Sequence, residues 1–427
     1  MSKKLTAIVI GAGNRGQKYS KLMHDLSEQF QVVAVAEPRD NRRKAIRDMF
    51  DLPEERCFRD WQPLLALGKI ADIAVISTMD RDHFLPTSAA IALHYDILLE
   101  KPVCPAPEEC EKLAKQAEKE GVRIIVCHVL RYAPFFTTVK KLITDGVLGD
   151  IISINHEERV GNLHQSHSFV RGNWGNSERS SCMLLQKSCH DLDILQWLVD
   201  KPCKKIQSFG TLTYFNRKNA PEGAPERCID GCPHGNTCPY NAVNLYLKDE
   251  KNAWFRGACT GMVDPTNEDV EHSLRTTQYG KCVYQCDNDV VDHQTVNMLF
   301  EDDITVTFTM CAFNKGGRDI HIMGTKGELF GTMDSKEAPI RVYDFATKTT
   351  TEYPYTGKDG IMNGHGGGDK GIIDALYAHL TDTYAGFSLS DIRTSVNNHH
   401  LVFAAEESRK NGTVVDIREY IQSLQLD

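Results

Sequence analysis

The sequence predicts an α/β fold, with an N-terminal doubly wound parallel sheet followed by a C-terminal α+β part built on a mostly antiparallel sheet. Two observations lead to this prediction. Up to residue 127, short apolar runs alternate with helical stretches, which is typical of a parallel sheet covered on both faces. After about residue 150 the predicted strands lengthen, many alternate between apolar and polar residues, and helices become fewer, which is typical of a sheet with one solvated face.

The first domain, residues 1–127, contains five apolar runs that we interpret as strands separated by helices. In a parallel sheet of this kind, ligands bind beyond the carboxyl ends of the strands. Each run here ends in glycine or in polar residues, so we expect the functional site along this edge. The runs are Ala7–Ile10, Val32–Ala36, Ile70–Ser77, Ile97–Leu99 and Val122–Cys127.

A glycine-rich turn follows the first strand and opens a helix, which is typical of a Rossmann dinucleotide-binding domain. Gly11, Gly13 and Gly16 form a G-x-G-x-x-G pattern, and Glu37 ends the second strand about twenty residues later. Glycines let a pyrophosphate approach the backbone, and a carboxylate at Glu37 can accept a hydrogen bond from a ribose 2′-hydroxyl while repelling a 2′-phosphate. The pattern therefore predicts NAD, although Arg39 could instead hold the phosphate of NADP.

The second domain, residues 128–427, includes a cysteine-rich insertion near 225–290. Its last two helices could pack back on the first domain. The predicted strands are Ile151–Glu157, Lys205–Tyr214, Val290–Met310, Asp319–Thr325 and Ile340–Thr350. The predicted helices are Phe135–Asp145, Leu184–Val199, Lys370–Tyr384 and Ser390–Asn411.

Composition excludes several classes of function. The chain of 427 residues has a net charge of −9 and no long basic run, which argues against a general nucleic-acid-binding protein. No apolar stretch is long enough for a membrane span, and no apolar leader precedes the first strand, so we expect a cytoplasmic protein without membrane contact. In that compartment the 14 cysteines are expected to be thiols or metal ligands rather than disulfides.

Three of these cysteines lie within eleven residues of the insertion, among glycine and proline turns. Thiolates at short spacing are what a tetrahedral zinc ion needs. We therefore predict a structural zinc held by Cys228, Cys232 and Cys238, with Cys282 or Cys286 as fourth ligand and His234 as a weaker substitute. Reduced thiols lining a loop, or an iron–sulfur cluster, are the alternatives.

The motif Glu100-Lys101-Pro102 ends the fourth strand. A dinucleotide fold followed by this motif and by an antiparallel sheet domain resembles the Gfo/Idh/MocA family of oxidoreductases, which includes glucose–fructose oxidoreductase and inositol dehydrogenase. The resemblance covers nearly the whole chain, including residues 128–132, 146–149, 187–193 and 403–408. It implies a bound nicotinamide cofactor and an enzyme that acts on a hydroxyl group.

The resemblance assigns the catalytic lysine to Lys101. A lysine at a strand end beside the nicotinamide can hydrogen-bond a substrate hydroxyl and stabilise its alkoxide character, and Pro102 restricts the backbone next to it. Tyr132 could contact either nicotinamide or sugar. The expected cofactor-binding residues are Gly11, Gly13, Asn14, Arg15, Gly16, Glu37, Arg39, Ser77, Thr78, His83, Glu100 and Lys101.

The resemblance also implies that His190 is an acid–base group, supported in the family by an aspartate four residues earlier on the same helix. This sequence has Gln186 at that position, followed by Lys187. The aspartate's role is therefore missing or relocated: Lys187 could be a second cation of the site, and Asp193 could support the helix. A cation near His190 is expected to lower the pKa of the imidazole and favour its neutral, basic form.

Two further segments are rich in hydrogen-bonding and aromatic side chains, the mixture that binds polyols. They surround Trp174 and precede the predicted helix at Lys370, where Asp369 could be only a helix cap. Exposed loops are the alternative interpretation of both. The expected substrate-binding residues are His164, His167, Arg171, Trp174, Gln186 and His365.

Two functions fit these expectations. One is an NAD-dependent dehydrogenase of a sugar, polyol or glycoside, in which Lys101 and His190 handle the hydroxyl proton. The other is a glycoside hydrolase that keeps NAD bound, oxidises the sugar at C3, eliminates the aglycone after loss of the C2 proton, adds water and reduces the ketone back. Lys187, His164 or His167 could supply the extra base near C2. A regulatory protein without turnover is the least favoured, and we expect a homo-oligomer.

Overall fold

A six-stranded parallel sheet forms the N-terminal part of the computed structural model, which describes residues 3–333, 338–355, 365–386 and 389–424. The strand order is β3-β2-β1-β4-β5-β6, and all neighbouring pairs are parallel. The strands are β1 (Leu5–Ile10), β2 (Phe30–Ala36), β3 (Cys57–Phe58), β4 (Ile73–Ile76), β5 (Asp96–Leu99) and β6 (Ile124–Val126). The predicted doubly wound sheet is confirmed.

Helices cover both faces of this sheet and thereby bury its central strands on both sides. Their amphipathic faces pack on two separate apolar clusters, one on each side of the sheet. The helices are α1 (Asn14–Asp25), α2 (Asp40–Phe50), α3 (Trp61–Leu65), α4 (Phe84–Ala92) and α5 (Pro107–Glu120).

A second sheet of nine strands follows, in the order β14-β13-β12-β11-β7-β10-β9-β8-β15. All neighbouring strands are antiparallel except the central pair β7 and β10, which confirms a mostly antiparallel sheet. The strands are β7 (Ile151–Arg159), β8 (Cys203–Thr211), β9 (His293–Phe300), β10 (Thr305–Cys311), β11 (Gly317–Gly324), β12 (Gly327–Thr332), β13 (Ile340–Asp344), β14 (Thr349–Tyr353) and β15 (Val415–Asp416).

The segment 290–310, predicted as one long strand, is a hairpin of β9 and β10. Its turn, Glu301–Asp303, is acidic, and Asp302 and Asp303 have φ of 56° and 57°. Aspartate tolerates this left-handed region better than most residues. The apolar alternation continues on both sides of the turn, which is why the sequence pattern did not reveal the break.

The remaining helices include short ones around the second sheet and two that form part of the insertion between β8 and β9. No helix within the described ranges is long and apolar enough to cross a membrane. The helices are α6 (Pro134–Thr144), α7 (Asn162–His164, continued by a π-helical turn, Gln165–Arg171), α8 (Met183–Gln186), α9 (Cys189–Val199), α10 (Ala253–Thr260), α11 (Asn267–Thr276), α12 (Gly368–Leu380), α13 (Ile392–Asn411) and α14 (Ile417–Ser423).

Two C-terminal helices pack on the N-terminal sheet. On α12, Ile372 and Leu376 belong to the apolar cluster on one face, and on α13, Val396 belongs to the cluster on the other face. Before α13, the carbonyl oxygen of Ser390 accepts a hydrogen bond from the Val126 N–H at 2.8 Å. The C-terminal part of the chain therefore completes the core of the parallel sheet.

Candidate active site

The glycine turn after β1 is held closely against the end of β4. Gly11 has φ of +87°, and a Cβ there would lie 2.6 Å from the carbonyl oxygen of Ser77. A Cβ on Gly16 would lie 2.1 Å from the carbonyl oxygen of Gly11, so neither position tolerates a side chain. The Ser77 hydroxyl donates to the same Gly11 oxygen at 2.8 Å. The turn is thus shaped to bring backbone N–H groups toward a ligand at the start of α1.

Glu37 lies beside this turn and is buried. One carboxylate oxygen accepts from the Ala12 N–H at 2.7 Å, and the other accepts from the Arg39 N–H at 3.0 Å. The Arg39 guanidinium extends toward the insertion and approaches Gly261. A Cβ atom on Gly261 would lie only 2.8 Å from Arg39 Nη1. The acidic group is therefore held beside the glycine turn.

Arg15, on the first turn of α1, joins the two parts of the chain. Its guanidinium donates to Glu100 Oε1 at 2.9 Å and to both carboxylate oxygens of Asp369 on α12, at 2.7 and 3.1 Å. Tyr19 also donates to Glu100 Oε1, at 2.6 Å. Burial alone would raise the pKa of Glu100, but the nearby Arg15 and Lys101 charges hold it below its usual value. Glu100 is thus a buried carboxylate that positions the strand end.

Two other expected cofactor residues make structural hydrogen bonds. Thr78 donates from its hydroxyl to the carbonyl oxygen of Asp82 at 3.0 Å. His83 is buried, and its Nδ1 is 2.7 Å from the carbonyl oxygen of Pro102. These contacts fix the segments after β4 and β5 against each other, so both side chains shape the edge of the sheet.

Lys101 follows β5 and reaches the second part of the chain. Its Nζ donates to the carbonyl oxygen of Gln186, at the end of α8, at 2.7 Å. The Lys101 N–H donates to Glu100 Oε2 at 2.9 Å, which orients the backbone of the motif. The ammonium group therefore lies between the parallel sheet and the helix that carries His190.

His190 lies in the first turn of α9 and is buried, and within the described part of the chain its Nδ1 has no hydrogen-bond partner. Burial lowers the pKa of the imidazole well below its usual value, and the Lys101 charge lowers it further. The cation that acts on His190 in this structure is Lys101, whereas the sequence had indicated Lys187. The rings of His128 and His365 lie 5.7 and 6.1 Å from the His190 ring, measured between centroids.

Lys187 points instead into a buried ion-pair network under the second sheet. Its Nζ lies 3.0 Å from Glu158 Oε1. Arg318 contacts Glu158 and donates to Asp191 Oδ1 at 2.7 Å, and His156 Nε2 lies 2.9 Å from that same oxygen. Burial lowers the pKa of Lys187 despite the Glu158 carboxylate. Lys187 is therefore neutralised by a carboxylate on β7.

Gln186 cannot replace the missing aspartate. Its side-chain oxygen accepts from the Ser180 hydroxyl at 2.9 Å, and its Nε2 donates to the carbonyl oxygen of Trp174 at 2.6 Å. Both polar ends are thus used to hold the segment around Trp174. Only the backbone oxygen of Gln186 faces Lys101.

His365 and His164 lie near the same cleft. His365 Nδ1 lies 2.9 Å from Asp369 Oδ1, which connects it to Arg15. Burial, followed by the Lys187 charge, lowers the pKa of His164 well below its usual value, and the His365 charge acts in the same direction. Burial thus lowers the pKa of His164 and of His365, and the His365 ring lies 6.1 Å from that of His190.

The structure revises the expected roles of Tyr132, His167 and Arg171, whose side chains are packed inside the protein. The Tyr132 hydroxyl lies 2.9 Å from Ser390 Oγ and accepts from the Ser390 N–H at 3.0 Å. His167 stacks on an aromatic ring of the insertion at 4.2 Å. Arg171 is fully buried against backbone carbonyls of the insertion. Aromatic and polar density predicted these residues, but it does not distinguish a cleft from a polar core.

The four predicted zinc ligands, Cys228, Cys232, Cys238 and Cys282, line one small cavity of the insertion. His234 lines it too, but its Nε2 lies 2.8 Å from the carbonyl oxygen of Glu222. Among the described residues, no three His, Cys, Asp or Glu side chains are grouped so as to hold a metal ion. The predicted zinc site is therefore not formed in this structure, although its cysteines are brought together.

Sequence reasoning missed Glu158 and Arg318, which neutralise Lys187 and Asp191. One signal was present. Ile154, His156 and Glu158 occupy alternate, inward positions of β7, so the apolar alternation already places a charge on the buried face. A buried charge requires a partner, but a partner on β11 is too distant in sequence to be inferred.

Comparison with known proteins assigns the chain to a family. The model described as "Oxidoreductase family, NAD-binding Rossmann fold" matches residues 5–128, and the model of that family's C-terminal alpha/beta domain matches residues 140–417. The chain belongs to the Gfo/Idh/MocA family. The sequence-based resemblance is thereby confirmed, and NAD binding is a property of the matched N-terminal domain.

Relatives within this family differ in the reactions that their names give. The YteT protein of Bacillus subtilis (strain 168) is 23% identical over 83% of this chain and 84% of its own length. An inositol 2-dehydrogenase of Klebsiella pneumoniae (strain 342) is 26% identical over 48% of this chain and 57% of its own. A 2,7-anhydro-N-acetylneuraminate hydratase of Escherichia coli (strain K12) is 23% identical over 47% and 51%. The chain thus spans about half the length of the latter two.

Solved structures share the whole fold. An oxidoreductase from Agrobacterium radiobacter, solved with NAD+, L-tartaric acid and magnesium, superimposes with a TM-score of 0.70 at 16% identity over 98% of this chain and 99% of its own. The scyllo-inositol dehydrogenase of Lactobacillus casei, solved with NAD(H) and scyllo-inositol, gives 0.65 at 14% identity over 97% and 100%. Both confirm the arrangement of the two sheets.

Proposed function

We propose that the protein is an NAD-dependent oxidoreductase acting on a hydroxyl group of a sugar, polyol or glycoside. The observation that supports this most is the proximity of Lys101 and His190 at the carboxyl edge of the parallel sheet. Lys101 comes from the parallel sheet and bonds the carbonyl oxygen of Gln186, and His190 lies close enough for the lysine charge to lower its pKa. A cation and a neutral imidazole at the carboxyl edge of a dinucleotide-binding sheet suit removal of a hydroxyl proton.

Each group has a distinct role in this proposal. The glycine turn and Glu37 would hold NAD, which when bound would supply a hydride acceptor for the carbon that carries the hydroxyl group. Lys101 would redirect one N–H hydrogen bond from the Gln186 carbonyl oxygen to the substrate oxygen. This bond would stabilise the negative charge that develops on the substrate oxygen. His190, neutral because it is buried beside Lys101, would accept the hydroxyl proton.

The relatives support a carbohydrate as the substrate class. Two of them are named for an inositol and for an anhydro-sugar acid, both rich in hydroxyl groups. The His365 ring lies 6.1 Å from the His190 ring, and in this proposal His164 and the half-exposed indole of Trp174 add further hydrogen bonds and a flat apolar face. This mixture is typical of sites for polyhydroxylated ligands.

A redox-neutral glycoside hydrolase is the second candidate, and one observation favours it. Burial lowers the pKa values of His190, His164 and His365, which favours the basic form of each imidazole. Abstraction of a proton next to a carbonyl needs such a base and a nearby cation to stabilise the enolate. A relative named as a hydratase belongs to a reaction class without net oxidation.

Incubation of a panel of sugars and aryl glycosides in deuterated water is expected to separate the two functions. A dehydrogenase should form one NADH per oxidised sugar without deuterium at C2. The hydrolase should release the aglycone without net NADH and leave deuterium at C2, because the proton is exchanged in the 3-keto intermediate. Absorbance of NADH, release of aglycone and mass spectrometry of the sugar are measured together. Lys101→Met is the control. It should be impaired in both reactions, since each begins with oxidation of the substrate hydroxyl that Lys101 contacts.

NAD is expected to bind more tightly than NADP, by about tenfold or more, equivalent to about 1.4 kcal/mol. Glu37 is fixed beside the glycine turn by two backbone N–H groups, so its charge faces any 2′-phosphate. Calorimetry on cofactor-free protein tests this, with Glu37→Gln expected to narrow the difference. Tighter binding of NADP to the unchanged protein would show that Arg39 decides the preference.

A further inference from the structure

We propose that the cavity lined by Cys228, Cys232, Cys238 and Cys282 binds one thiophilic divalent metal ion, with zinc as the expected occupant. This site lies in the insertion between β8 and β9 and takes no part in the proposed hydride chemistry. Because the cysteines of the described residues are not already grouped as ligands, metal binding would have to draw their sulfurs together. The role of the metal is to join two distant segments of the insertion.

The backbone brings these cysteines together across more than forty residues of sequence. The Cys228 N–H donates to the carbonyl oxygen of Gly280 at 3.0 Å, and the Cys282 N–H donates to that of Glu226 at 2.8 Å. This antiparallel bridge places Cys228 beside Cys282. A compact turn then returns the chain to the cavity, since the Cys238 N–H donates to the carbonyl oxygen of His234 at 2.9 Å.

The buried Arg171 supplies an independent argument. Arg171 lines the same cavity and is 1% exposed, yet its guanidinium donates to uncharged groups: the carbonyl oxygens of Lys281 and Tyr240, both at 2.7 Å, and Cys228 Sγ at 3.6 Å. Its Nη1 has no hydrogen-bond partner among the residues that the structure describes. A buried charge without a counter-charge is costly. A divalent ion with four thiolates carries a net negative charge, which would neutralise this arginine.

The cavity is too small for an organic ligand but large enough for a single ion. It offers about 10 Å³ to the centre of a water-sized sphere, close to the minimum that one water molecule needs. Metal binding to cysteine thiols would release their protons, as it does at thiolate sites generally.

The structure also selects the fourth ligand that the sequence left open. Cys282 lines the cavity, whereas Cys286 does not and directs its sulfur toward the carbonyl oxygen of Cys282 at 3.4 Å. Cys259 provides a matched control, because it is a buried cysteine of the same insertion that lies outside the cavity and contacts Ser273 Oγ at 3.3 Å.

The test measures metal content of the full-length protein purified without chelator, and its spectrum after exchange with Co²⁺. About one metal ion per chain is expected, together with a thiolate-to-cobalt charge-transfer band. Cys232→Ser and Cys282→Ser should lose the band or bind the metal far more weakly, while Cys259→Ser keeps it. Chelation should lower the melting temperature of the unchanged protein and of Cys259→Ser. A protein that binds neither Zn²⁺ nor Co²⁺, or that forms a disulfide between cavity cysteines, would overturn the proposal.

Discussion

Lys101→Met is expected to lower turnover by about 10²-fold or more, the scale of an acid–base group, while NAD affinity changes little. Methionine keeps most of the length of the side chain but removes the ammonium group that contacts the carbonyl oxygen of Gln186 at 2.7 Å. The substrate oxygen would then lose the cation that stabilises its negative charge. Steady-state kinetics on a substrate from the panel, with calorimetry for NAD, measure the two effects.

The control is Lys112→Met, which removes an exposed lysine from α5 and should leave turnover unchanged. Near-normal turnover of Lys101→Met would remove this lysine from the mechanism. A parallel loss of NAD binding would assign it to the cofactor instead of the substrate.

Lys187→Met is expected to lower the free energy of unfolding by about 3–5 kcal/mol, the scale for breaking a buried ion pair from one side. The side chains of Lys187 and Glu158 are only 12% and 2% exposed and their charged atoms lie 3.0 Å apart. Removal of the lysine leaves a buried carboxylate with less counter-charge. Denaturation in urea measures the change.

Two variants sharpen this test. Glu158→Gln combined with Lys187→Met should recover part of the lost stability, because the remaining partner is neutral. Lys370→Met breaks an exposed pair with Asp374 on α12 and should change stability by less than about 1 kcal/mol. A stable but inactive Lys187→Met would instead assign Lys187 a direct part in catalysis.

The sequence predicted well what depends on local pattern. Apolar runs between Leu5 and Val126 with intervening helices indicated the parallel sheet, because strands buried on both faces must be apolar throughout. The glycine turn and Glu37 were recognisable because their chemistry constrains both residue type and spacing. The acidic turn at Glu301–Asp303 was missed, since apolar alternation on both sides of it resembles one strand.

The sequence predicted less well what depends on contacts between distant segments. It brought Lys101 and His190 together at the substrate hydroxyl but also expected the charge of Lys187 beside His190, whereas the fold pairs Lys187 with Glu158. Similarly, only the bridge between residues 226–228 and 280–282 distinguishes Cys282 from Cys286. Such pairings depend on strand order and on turns with no local signature.

The packing of α12 and α13 on the parallel sheet has a consequence for synthesis on the ribosome. The glycine turn and all six parallel strands emerge early, but the apolar surfaces that receive Ile372, Leu376 and Val396 remain uncovered until most of the chain has been translated. Arg15 likewise gains its hydrogen bond to Asp369 only after residue 369 has been translated. We therefore expect the nascent N-terminal domain to depend on chaperones, and to become competent for NAD only after translation is nearly complete.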